Sequence, residues 1–169
     1  MISPVMDFQI TSMGLEDWPE VRRIYGEGMA TGNATFETEL PGWEKWDSAH
    51  RPDCRLVARL GTRVVGWAAL SPASARKVYA GVAEVSVYVG SAERGNGVGK
   101  ALLKALIEDS EGNHIWTLQA GIFPENAASV TLHRSCGFRE VGVRRRIGKL
   151  RAIWRDVLLL ERRSLKVGI

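Results

Sequence analysis

Between Glu84 and Lys100 the chain reads E-V-S-V-Y-V-G-S-A-E-R-G-N-G-V-G-K, and few folds accommodate such a run. The β-branched and aromatic residues Val85, Val87, Tyr88 and Val89 predict a strand, and the apolar-periodic run from Val98 onward predicts a helix. Arg94-Gly95-Asn96-Gly97-Val98-Gly99 joins the two. Alternate glycines at a helix start remove the side chains that would block a ligand, and leave unpaired N–H groups backed by the positive end of the helix dipole. Such a loop suits a phosphate; the structural alternative is an ordinary solvated entry to a helix.

Spacing decides between glycine loops. A dinucleotide fingerprint needs G-x-G-x-x-G, whereas the glycines here are spaced G-x-G-x-G, with Lys100 where the third glycine would fall. A nucleotide-triphosphate loop needs G-x-x-x-x-G-K-[ST]. Counting back from Gly99-Lys100 puts Arg94 at its first glycine, and Ala101 replaces the magnesium-binding hydroxyl. R-G-x-G-x-G remains.

The 169 residues suffice for one domain with a sizeable core, so residues 1–169 are expected to fold as a single unit. Hydrophobic residues at 45% and charged residues at 25% fit an ordinary globular protein, and no apolar run approaches the roughly 20 residues of a membrane span. The first seven residues lack the pattern of a secretory signal, which makes a cytoplasmic location the default expectation. Cys54 and Cys136 stand far apart without a C-x-x-C pattern, and His50, His114 and His133 are scattered. Two buried thiols and no metal site are expected. The net charge of +4 is concentrated between Arg134 and Arg163, with ten Lys/Arg against three acids. These cations alternate with apolar residues and lack an aromatic stacking platform, so a solvated sheet face is favoured over nucleic acid binding. A polyanionic ligand would be steered by the same field.

Along the chain, residues 8–12 predict a strand and 15–29 a helix with Trp18, Val21, Ile24 and Tyr25 on its apolar face. A weaker helix over 42–50 has Trp43 and Trp46 at helical spacing, and tryptophans so placed belong to a core. Runs 55–60 and 64–70 around Gly61-Thr62-Arg63 predict a hairpin. The central strand spans 78–89 and its helix 97–109. A strand over 114–122, a short helix over 126–136 with Asn126 as N-cap and Gly137 as its stop, and strands over 138–147 and 149–161 complete the chain. The order β α α β β β α β α β β implies an α/β protein with a mixed sheet covered by helices on both faces.

With these elements in place, several motifs fall into one pattern: Gly66-Trp67 with Ser71-Pro72; Arg76, Tyr79 and Glu84; Ser86-Val87-Tyr88-Val89; Arg94 to Gly99; Asn126-Ala127-Ala128-Ser129 with Leu132-His133 and Gly137-Phe138; Trp154-Arg155-Asp156-Val157. Nearly the whole chain thereby resembles the phosphinothricin and methionine sulfoximine branch of the GNAT superfamily of acetyl-CoA-dependent N-acetyltransferases. The resemblance implies a central twisted mixed sheet splayed into a V between its middle strands, with acetyl-CoA in the wedge, and a homodimer. It places the cofactor on the strand Val87, Tyr88 and Val89, on the loop Arg94, Gly95, Asn96, Gly97, Val98, Gly99 and Lys100, and on Asn126 and Ser129.

Acetyl transfer to an amine requires removal of a proton, stabilisation of an oxyanion and departure of a thiolate. Glu84, the single carboxylate in the 78–89 strand, is the candidate base if partial burial raises its pKa; the alternative is a solvent-facing residue on the side shared with Ser86 and Tyr88. Val87 N–H is the candidate oxyanion donor. His133 stands where many superfamily members carry a tyrosine, and protonation of the thiolate, cofactor contact and a purely structural role all remain open. Arg76 and Tyr79 are candidate carboxylate binders, with Thr35, Phe36, Lys149 and Trp154 as further acceptor walls. Arg144-Arg145-Arg146 near the expected rim departs from the branch and would favour a more acidic acceptor. The expected reaction is acetylation of the amine of a small amino acid such as phosphinothricin, methionine sulfoximine or methionine sulfone, in detoxification. A peptide N-terminus or another amine is the second reading, and a non-catalytic CoA- or nucleic-acid-binding protein the third.

Overall fold

The computed structural model describes residues 6–169, so the expectation of no secretory signal lies, for residues 1–5, outside the described residues. The elements follow in the expected order: β1 (Gln9–Ser12), α1 (Trp18–Ala30), α2 (Trp43–Ala49), β2 (Leu56–Leu60), β3 (Arg63–Pro72), β4 (Val82–Val89), α3 (Val98–Gly112), β5 (Thr117–Ile122), α4 (Ala127–Ser135), β6 (Arg139–Leu150) and β7 (Ile153–Arg163). The strands form one sheet in the order β1-β2-β3-β4-β5-β7-β6. Every neighbouring pair is antiparallel except β4 with β5.

That parallel pair is short. Its register runs Val82↔Thr117, Ala83↔Leu118 and Glu84↔Gln119, and pairing then stops although β4 continues to Val89 and β5 to Ile122. The sheet opens at its centre, and each half keeps its own partners: β4 stays paired with β3 as far as Val89, and β5 with β7 as far as Ile122.

Helices cover both faces because the strands alternate. Val85, Val87 and Val89 pack with the α3 residues Val98, Leu102, Leu103 and Leu106, whereas Tyr88 packs on the opposite face with Val21, Ile24, Trp46 and Trp67 under α1 and α2. Burying these side chains is the main favourable term in folding. Of the two tryptophans assigned to a core, Trp46 is fully buried and Trp43 half-buried against it; Trp67 is fully buried as well. Cys54 is buried and its thiol is pushed up to about 12 by that burial, whereas Cys136 is only half-buried; both are free thiols.

Several boundaries shift by one to four residues, among them β5, which begins at Thr117 rather than at 114, and two of the shifts bear on the site. The central strand begins at Val82 rather than at residue 78, because Lys77–Tyr79 forms a 3-10 turn. The closing hairpin turns at Arg151-Ala152, not at Gly148. Both turn residues have positive φ, 48° and 69°, the geometry of a two-residue turn that usually advertises itself by Asn-Gly or Asp-Gly. Gly148 instead lies within β6, where a Cβ would come within 2.9 Å of the Phe36 ring.

Candidate active site

The cleft between the parted strands has a volume of about 1210 Å³ and runs from Glu84 past Val87 and Val89 to the glycine loop. Alternation sets which main-chain groups face it. Gly90 N donates to Val65 O on β3 at 2.8 Å, so the amides of Tyr88 and Ser86 also turn towards β3. Those of Val87 and Val89 turn the other way, into the wedge, where the Arg94 Nε donates to Val89 O at 3.3 Å. An unpaired strand edge therefore lines the cleft, ready to accept an extended amide-bearing ligand as another strand would. Tyr88 was expected on this edge; its amide turns away towards β3, although the residue still lines the cleft. Its ring stacks on Trp67 at 4.9 Å and meets Tyr25 edge-on at 4.9 Å. Its hydroxyl donates to Ala34 O at 3.4 Å, and burial raises its pKa.

At the far end Gly95 and Gly97 have φ of 80° and 83°, the left-handed region that glycine enters without steric cost, and a Cβ on either would meet nothing within 4 Å. The loop thus presents bare backbone at the start of α3, with Arg94 and Lys100 exposed on the cleft wall. Asn96 is turned back: its Nδ2 donates to Glu93 O at 3.2 Å and to Arg94 O at 3.3 Å, and it does not line the cleft. Asn126 caps α4 as expected, its Oδ1 accepting from Ser129 N at 3.2 Å, and both residues line the cleft.

Glu84 sits where β4 and β5 part. It is exposed rather than half-buried, and its Oε2 accepts from Gln119 Nε2 at 3.1 Å. Gln119 gave no sequence signal, because only the parallel register places it opposite Glu84. His133 is buried on the cleft wall, with Nδ1 against Ser129 O at 2.7 Å and Nε2 without a partner. A proton on Nδ1 satisfies that carbonyl and leaves Nε2 a bare acceptor. Burial lowers the pKa of His133, against the opposing hydrogen bond to Ser129; His50, on the cleft wall beside Trp46, is lowered by burial as well.

Both shifts have the same sign in stability. Below the ordinary histidine value of about 6.5 the unfolded chain takes up protons that these two rings resist, so folding weakens as pH falls. Thermal melting is expected to decline as pH falls below about 6.5, with His133→Gln flattening part of the decline. An unchanged profile in that variant would remove His133 as a source.

Thr35 and Phe36, expected as acceptor walls, line the cleft together with Arg144, Ile147 and Gly148 from β6. The other expected wall residues lie elsewhere. Arg76 and Tyr79 are exposed on the turn before β4, with the guanidinium 5.5 Å from the tyrosine ring. Lys149 and Trp154 pair across the β6–β7 hairpin, the ammonium 4.6 Å from the indole, and are exposed. None of the four lines the cleft.

A sheet splayed at its middle, with a glycine loop at the mouth of the wedge and a carboxylate at its apex, defines an acyl-transfer site built to hold a long phosphate-bearing donor along main chain. The chain matches the Acetyltransferase (GNAT) family over residues 18–138 and belongs to it. It is 32% identical over 157 residues to a phosphinothricin N-acetyltransferase of Alcaligenes faecalis, covering 87% of this chain and 78% of that one. To an L-methionine sulfoximine/L-methionine sulfone acetyltransferase of Pseudomonas aeruginosa it is 31% identical, covering 92% and 94%. A phosphinothricin acetyltransferase from Sinorhizobium meliloti, solved in complex with acetyl-CoA, superposes with a TM-score of 0.85 at 26% identity, covering 96% of this chain and 91% of that one. The protein is accordingly an N-acetyltransferase whose acetyl donor is acetyl-CoA. The free edge at Val87 and Val89 and the side-chain-free space over Gly95 and Gly97 fit that donor's amides and pyrophosphate.

Proposed function

We propose that this enzyme acetylates the α-amine of a small amino acid of the phosphinothricin, methionine sulfoximine or methionine sulfone type, and so detoxifies it in the cytoplasm. The observation behind this reading is the placing of Glu84 at the apex of the wedge, with the free main-chain edge on one side and a cationic wall at Arg144 on the other. Acetyl-CoA supplies the acetyl group as a thioester. Val87 and Val89 would hold its amides, residues 95–100 its pyrophosphate, and Asn126 and Ser129 the arm between. Glu84 takes the proton from the amine. Its Oε2 is engaged by Gln119, while Oε1 has no side-chain partner among the described residues. Val87 N–H faces the carbonyl oxygen. His133 is a poor acid, because burial keeps it neutral and its one proton is engaged by Ser129 O. Its Nε2 is a buried acceptor without a partner among the described residues.

Thr35, Phe36 and Arg144 form the acceptor wall, and the guanidinium matches a substrate carboxylate. Exposed Val141, Val143, Ile153 and Trp154 on the outer hairpin support a homodimer, which the mass in solution decides. The substrate reading is tested with a panel of amines and acetyl-CoA, following free-thiol release. Turnover is expected with methionine sulfone or phosphinothricin well above that with simple alkylamines, and no turnover with any amino-acid analogue would sink it.

A further inference from the structure

Arg155, within the Trp154-Arg155-Asp156-Val157 motif, touches neither the glycine loop nor Glu84, yet its side chain is only 13% exposed and every polar contact it makes is with a loop at the cleft. Nη1 donates to Gly32 O at 2.9 Å, and Nη2 donates to Asn33 Oδ1 at 2.8 Å and to Glu125 Oε2 at 3.3 Å. The guanidinium lies 4.1 Å from the centre of the Phe123 ring, whose edge-on neighbour at 4.8 Å is Phe36. Asn33 in turn accepts, through its main-chain oxygen, from Asn126 Nδ2 at 3.1 Å. Asn126 is the α4 cap on the donor side of the cleft; Phe36 is on the acceptor side.

We infer that Arg155 is a positioning residue that ties the two substrate walls into one unit, so that ordering of the loop after α1 by either substrate favours binding of the other. The planar fork explains the choice of arginine. Three acceptors on two separate loops are met at once, with an aromatic face beneath, which an ammonium on a flexible stem cannot reproduce. The coupling runs through Asn33: Arg155 fixes its side chain, and its main chain fixes Asn126. Energetic coupling of this kind is reciprocal, so weakening it affects both ligands.

This inference rests on the acceptor end proposed above, and its decisive measurement needs no acceptor. Acetyl-CoA affinity is measured by calorimetry for the wild type, Arg155→Lys, Arg155→Ala, Asn33→Ala and the Arg155→Ala/Asn33→Ala double variant. Loss of the arginine is expected to weaken acetyl-CoA binding by about tenfold, with Arg155→Lys recovering little of it. The double variant should be no weaker than Arg155→Ala alone, the signature of two residues acting in one chain of contacts. Acceptor KM should rise by a similar factor with kcat changed less than about threefold. Should Arg155→Ala fail to fold, Arg155→Lys and Asn33→Ala decide. Acetyl-CoA affinity within twofold of wild type in the variants that fold, or strictly additive losses in the double variant, would overturn the inference and leave Arg155 a stabilising anchor. Failure of the wild type to turn over amino-acid acceptors would instead count against the substrate assignment alone.

Discussion

Glu84→Gln is expected to lower kcat for acetyl transfer by about 10²–10⁴-fold, the range typical of a lost general base, while acetyl-CoA binds as before. The substitution is nearly isosteric and keeps a hydrogen-bonding partner for Gln119, so the apex of the wedge retains its shape. What disappears is the capacity to accept a proton from an ammonium group that must become neutral before it can attack. Because Glu84 is exposed, the change leaves no buried charge unpaired and little effect on melting is expected. Raising the pH should recover part of the lost rate by supplying free amine from solution. Unchanged turnover in the variant would assign the base elsewhere, with Gln119, which cannot titrate, excluded in advance.

Gly97→Val is expected to raise the acetyl-CoA dissociation constant by about 10–100-fold, equivalent to losing about one hydrogen bond to a charged group. Gly97 is the residue before α3 and has φ of 83°. A β-branched residue resists that conformation, and forcing it out of the left-handed region reorients the amides that follow. The added side chain would also stand in space the protein itself leaves empty. Calorimetric titration separates this from a folding defect, since the site of substitution is exposed and outside both cores. Wild-type affinity would show that the pyrophosphate lies elsewhere.

Much of this arrangement was legible in the sequence, and the failures have physical causes. The strand at Val85 to Val89, the glycine loop and the Asn126 cap are local features, written in propensity, φ requirements and capping chemistry, and they stand where expected. The order of all eleven elements was also readable, because each buries one face with its own period. Gln119 was not readable as a site residue, and Arg144 only as one of three arginines near the expected rim, with nothing to say which of them lines the cleft. Gln119 meets Glu84 through the register of a parallel pair. Arg144 reaches the cleft wall just before a bulge in which four residues of β6 span two of β7, with Arg146 N donating to Asp156 Oδ1 at 2.8 Å. Neither relation has a local signature. Arg76 and Tyr79 failed for a related reason: the run from Val78 reads as strand by composition, but the 3-10 turn at Lys77–Tyr79 holds them outside the cleft. The burial expected of Glu84 failed because the strand that would have covered it diverges at that residue.

That divergence bears on how such proteins change over time. A ligand gripped by peptide groups depends on where the backbone goes, and hardly at all on which residues occupy the strand. Side chains on β4 are free to be replaced by others of similar bulk without disturbing the grip, and the same holds for the bare loop wherever glycine is kept. A relative sharing only 32% of its residues can therefore inherit the donor half of the reaction intact, while its acceptor walls drift towards other amines.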